Sequence, residues 1–187
     1  MNQNNKEKII LGIDPGTRIL GYGIILCKGT NEIGLLQYGV IHLAQYKSQA
    51  LRLKKIFERI TQLIEEFDPD EMALEAPFYS QNVQVALKLG RAQGVAMAAA
   101  LVREIPITEY APRKVKQSVT GNGDASKEQV AGMLKKLLNL NIGENDLLDA
   151  TDALGVAVCH HFQKGLKVTT KKTWADFVQE NPKRIRE

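Results

Sequence analysis

The sequence predicts an α/β fold, a five-stranded mixed sheet with helices on both faces. Three observations lead there. Short apolar runs of strand length stop at turn residues, and longer stretches between them carry apolar residues at helical spacing. The two kinds follow one another in the order βββαβαβα, which suits a mixed sheet covered on both sides. A chain of 187 residues is most simply one such domain, long enough to bury roughly two-thirds of its unfolded surface.

Ile9 to Asp14, Gly21 to Cys27 and Ile33 to Leu43 read as three strands joined by short Gly, Thr and Asn turns, an antiparallel meander. A helix follows whose Ala50, Leu53, Ile56, Phe57, Ile60, Leu63, Ile64 and Phe67 keep helical spacing until Asp68-Pro69 stops it. Met72 to Glu75 is a fourth strand ended by Pro77, Asn82 to Glu104 a second helix, and Ile107 to Tyr110 a fifth strand. The remainder reads as helical. Its last helix starts at Asn145-Asp146, a capping sequence, and runs through Asp149-Ala150-Thr151-Asp152-Ala153-Leu154.

Composition bounds the class. The 25 Lys and Arg exceed the 21 Asp and Glu, giving a net charge of +4 and a pI near 9.0. Residues 164–187 hold 7 basic and 3 acidic residues, which leaves 18 of each in residues 1–163. The excess is therefore all in the tail. Cys27 and Cys159 lie far apart in apolar segments and read as buried thiols of a reducing compartment. The polar start, residues 1–8, lacks an apolar h-region, and the longest nearly uncharged stretch, Ala92 to Val102, is too short to span a bilayer. A cytoplasmic location is the expectation.

Four carboxylates carry the chemical signal. Asp14 ends an apolar strand at the turn Pro15-Gly16-Thr17, and Glu75 ends another at Ala76-Pro77. In open α/β sheets ligands bind at the carboxyl ends of strands. Asp149 and Asp152 share a helix face by their i, i+3 spacing, and that face continues through the apolar Val156 and Cys159. Acids on a buried stripe must be paired, neutral or metal-bound. Taken one at a time, each has an ordinary explanation as a turn, strand-end or helix-start acid. Together they suit two hard cations such as Mg²⁺, which prefer oxygen ligands and, about 4 Å apart, clamp the attacking and leaving oxygens of a phosphate displacement.

Five motifs in order, Ile10-Leu11-Gly12-Ile13-Asp14-Pro15-Gly16-Thr17, Gly21-Tyr22-Gly23, Ala86-Leu87-Lys88-Leu89-Gly90, Val115-Lys116-Gln117 and Asp149 through Ala157, closely resemble the RuvC family of bacterial Holliday-junction resolvases. The resemblance spans about residues 8 to 163. It implies a ribonuclease-H-like fold and a crossover junction endodeoxyribonuclease that uses two Mg²⁺ per site, with Mn²⁺ as a substitute. It further implies a homodimer that nicks a four-way DNA junction symmetrically, beside the branch-migration proteins RuvA and RuvB. The expected organisation is a polar extension over 1–8, a nuclease domain over 9–163 and a basic tail over 164–187. Asp14, Glu75, Asp149 and Asp152 are the implied metal-binding and catalytic residues.

The same resemblance assigns DNA-binding roles to three further residues. Phe78, beside Tyr79 in the loop after Glu75, is the expected wedge that stacks on unpaired bases. Lys116 and Lys127 match positions at which the family carries lysines beside the scissile strand. Lys135 and Lys136, in the same basic stretch, read as a solvated face. His160 and His161 read as helix-ending residues, because hard cations prefer oxygen. The small-residue segment Ala92 to Ala100 suits either a dimer interface, which the resemblance implies, or close core packing. Two rival classes fit less well. Ile13 to Thr17 also resembles the first phosphate loop of actin-like ATPases and sugar kinases, but those need two lobes and a second glycine-rich motif. A non-catalytic junction-binding module would not need all four acids.

Overall fold

The computed structural model describes residues 7–29, 32–76, 82–140 and 148–165, with backbone alone at 148–149 and 164–165. Strands β1 (Glu7–Asp14), β2 (Ile19–Lys28) and β3 (Glu32–His42) form the meander, each bonded antiparallel to the next. Strand β4 (Glu71–Glu75) lies parallel to β1 on the other side, and β5 (Ile107–Tyr110) lies parallel to β4. The sheet order is therefore β3-β2-β1-β4-β5, five strands of mixed direction.

Alternation along the strands divides the core into two layers. Leu11, Ile13, Leu20, Tyr22, Ile24, Met72 and Leu74 face one way and pack with buried residues of α1 (Gln49–Phe67) and α2 (Val83–Leu101). Ile10, Ile25, Cys27 and Ala73 face the other way, toward α3 (Pro112–Thr120), α4 (Lys127–Leu137) and α5 (Leu148–Gly165). The region read simply as helical after β5 thus resolves into three helices.

Local chemistry fixes the helix ends. Ser48 caps α1 by accepting from the Leu51 amide, and Asp68 ends it in the left-handed region at φ 45°. The Asn82 side chain caps α2. A reciprocal Ser126 and Gln129 capping box starts α4, and Gly121 at φ 79° closes α3. Within α2, Ala92, Ala96, Ala99 and Ala100 are buried in the core, which supports close packing for that stripe. The same helix also carries Val83, Leu87 and Leu101 on exposed positions.

Candidate active site

Pairing between β1 and β4 runs from Ile10 with Glu71 to Ile13 with Leu74. The next residue on each strand is an acid, so Asp14 and Glu75 emerge side by side at neighbouring carboxyl ends. By alternation both belong to the face that holds Ile10, Gly12 and Ala73, the face α5 covers.

Two glycines let α5 settle directly on that face. A Cβ at Gly12 would stand 2.3 Å from the Ala153 carbonyl oxygen, and one at Gly23 would stand 2.6 Å from a Leu154 methyl carbon. Only a residue without a side chain tolerates such an approach. Asp152, next to Ala153, is thereby brought to the strand ends. Asp14, Glu75 and Asp152 line one cleft of about 160 Å³, together with Lys116, Lys127, Pro112, Val115 and Val130.

The charges in the cleft are coupled. Lys127, the first residue of α4 and placed by the capping box, puts Nζ 2.5 Å from Asp152 Oδ2. This ion pair spans 25 residues of sequence. Glu75 is pushed up from 4.5 to about 7, first by burial and then by the neighbouring Asp152 carboxylate, with Lys127 and Lys116 opposing the rise. A buried carboxyl beside another acid is stabilised in its charged form by added positive charge, as a bound cation would supply.

The donor set fits a hard divalent cation, since it offers carboxylate oxygens at the mouth of an otherwise apolar floor. Among the described residues no three Asp, Glu, His or Cys side chains are gathered closely enough to hold one ion as they stand. Asp149 lies in the first turn of α5, one turn before Asp152, and its side chain is outside the described residues. Phe78 also lies outside them. Of the seven residues expected at the site, Asp14, Glu75, Asp152, Lys116 and Lys127 come together in the cleft.

One expectation is corrected and one set of residues was missed. His160 and His161 do not finish α5, which continues to Gly165. His160 is 1 % exposed and bonded to Glu71 and Tyr110 at 2.7 Å each. A histidine on an apolar helix face was the only sequence signal for this network, because its partners are 50 and 89 residues away.

Comparison with known proteins agrees with the geometry. The family model described as crossover junction endodeoxyribonuclease RuvC matches residues 10–160. A protein of that name from Cytophaga hutchinsonii is 61% identical over 180 residues, 96% of this chain and 89% of the relative. One from Porphyromonas gingivalis is 56% identical over 97% of this chain and 98% of the relative. Among solved structures, Thermus thermophilus RuvC in complex with a Holliday junction substrate superposes with a TM-score of 0.78 at 32% identity, covering 84% of this chain and 94% of that one.

Proposed function

This chain belongs to the RuvC family of crossover junction endodeoxyribonucleases, and from that premise we propose that it resolves four-way DNA junctions by hydrolysing phosphodiester bonds in paired strands. The observation that carries the proposal is the cleft itself, in which three acids from β1, β4 and α5 meet two lysines from α3 and α4.

Asp14, Glu75, Asp152 and, from the preceding helical turn, Asp149 would hold the divalent cations, with Mg²⁺ the natural choice for oxygen donors and Mn²⁺ as a substitute. Bound there, such ions supply a nucleophilic water near neutral pH and stabilise charge on the attacking and leaving oxygens. The chain's own residues do the rest. Lys116 and Lys127 stand beside the carboxylates, where ammonium groups hold the scissile phosphate and offset its developing charge. Lys127 balances Asp152 in the DNA-free protein and is within reach of a phosphate placed over the cleft. Phe78, three residues after the end of β4 in the sequence, is proposed to stack on bases exposed at the junction centre, worth about 1 to 3 kcal/mol per base. Residues 164–187 are proposed as a basic tail outside the nuclease domain.

A symmetric junction calls for two cleft copies, so a homodimer is the proposed working form, with RuvA and RuvB as its branch-migration partners. Nicking of a synthetic four-way junction with and without Mg²⁺ tests the whole reading. Asp14→Asn, Glu75→Gln, Asp149→Asn and Asp152→Asn should each abolish nicking while leaving junction binding largely intact. Near-native nicking by any one would remove that residue from the site.

A further inference from the structure

Helix α5 lies against the sheet largely through small residues. Gly12, Gly23 and Ala73 on the strands meet Ala153, Leu154 and Ala157 on the helix. Apolar contact of this kind is non-directional and sets a distance between layers more firmly than a position along the helix axis. Yet that axial position decides where Asp152 stands relative to Glu75. A directional contact between helix and sheet would fix it further.

A buried polar chain supplies it at the far end of the same two elements. His160 Nε2 lies 2.7 Å from Glu71 Oε2, Glu71 Oε1 lies 3.1 Å from Lys8 Nζ, and His160 Nδ1 lies 2.7 Å from the Tyr110 hydroxyl. Burial, together with Cys159 and Glu71 nearby, pushes the Tyr110 phenol up to about 12, and its hydroxyl is paired with Nδ1. The Glu71 carboxylate accepts from Nε2–H. One side chain of α5 is thus bonded to neighbouring strands β4 and β5, and through Glu71 to β1.

The lengths match. Asp152 to His160 is eight residues of helix, about 12 Å. Glu71 to Glu75 is four residues of strand, about 13 Å. Helix and strand run in opposite directions, joined by His160 and Glu71 at one end and presenting Asp152 and Glu75 to one cleft at the other.

We propose that His160, with Glu71 and Tyr110, is a positioning residue that locks the axial register of α5 on β4 and so sets the carboxylate spacing on which cation affinity depends. This rests on the reading of the cleft as a metal site. Mg²⁺ demands near-ideal geometry from its ligands, so a slide of the helix should be felt there before it is felt in the fold.

The test is calorimetric titration of the DNA-free protein with Mg²⁺ alone, alongside thermal melting, for the wild type and four variants. His160→Leu removes both bonds and should weaken Mg²⁺ binding on the order of tenfold or more, the usual effect of losing a supporting partner. His160→Gln retains a donor toward Glu71 and should recover most of that affinity. Tyr110→Phe removes one hydroxyl without altering the packing, and should weaken Mg²⁺ measurably even where His160→Leu fails to fold. Ile60→Ala, in the opposite core layer, should lower the melting temperature without moving the Mg²⁺ affinity. Native Mg²⁺ affinity in a folded His160→Leu, or in Tyr110→Phe where His160→Leu does not fold, would overturn the lock and leave the metal site standing. A wild-type chain that binds no Mg²⁺ would overturn the metal-site reading and the lock with it.

Discussion

Glu75 gives the most direct access to the electrostatics of the cleft. Its carboxyl titrates near 7 in the folded protein, against 4.5 ordinarily. Below about pH 4.5 it is protonated whether the chain is folded or not, and has no effect on stability. Between 4.5 and 7 the unfolded chain ionises it while the folded chain does not, so stability falls as pH rises, and levels off above 7. The full displacement converts to about 3 kcal/mol, an upper bound for a carboxyl that water partly reaches, with about 2 kcal/mol of it between pH 5 and pH 8. For a chain of this size that is a loss of roughly 4 to 8 °C in melting temperature. Glu75→Gln keeps the shape and removes the charge. We expect the metal-free variant to melt at nearly the wild-type temperature at pH 5 and several degrees higher at pH 8. Mg²⁺ should restore the wild type at pH 8 and do much less for the variant, since a ligand at a hundred times its dissociation constant adds about 2.7 kcal/mol. Melting curves in EDTA and in Mg²⁺, at both pH values, measure all four quantities. An equal pH response in wild type and variant would refute the placement of Glu75 in a buried acidic cluster.

Gly12→Ala should displace α5 from β1, costing about 1 to 3 kcal/mol through overpacking and reducing nicking further than the stability loss explains; denaturant melts and nicking rates at saturating Mg²⁺ would compare the two. Phe78→Ala should slow cleavage of intact junctions more than of junctions opened by mismatches, and equal slowing would indicate packing instead of stacking. Deleting residues 168–187 should flatten the salt dependence of junction binding by about 0.9 in log-log slope for each phosphate that the tail neutralises, with cleavage retained at saturating protein. An unchanged slope with a lower melting temperature would make that segment structural.

Much of the fold was legible because its signals are local. Strands β1, β2 and β4 end at or just before Pro or Gly, and the α1 periodicity stops at Asp68, which the structure places in the left-handed region. The strand-end position of Asp14 and Glu75 was legible for the same reason. What the sequence does not carry is which distant groups meet. Asp149 and Asp152 have no basic neighbour within a helical turn, yet Asp152 is paired with Lys127, brought from another helix. His160 looked like a residue at the end of a helix because Glu71 and Tyr110 become its partners only once β4, β5 and α5 are assembled. The close approach at Gly12 is likewise a property of the packed pair and not of the strand alone.

The placement of Asp152 on α5 also has a meaning in time. Asp14 and Asp152 are separated by 138 residues of synthesis, roughly 7 to 28 seconds at 5 to 20 residues per second. Throughout that interval the emerging chain lacks α5 and the carboxylate that α5 brings to the strand ends. With the proposed carboxylates divided this way between the first strand and the last described helix, a phosphodiester-cutting centre would come into being only once α5 is made, and shorter partial chains would lack it.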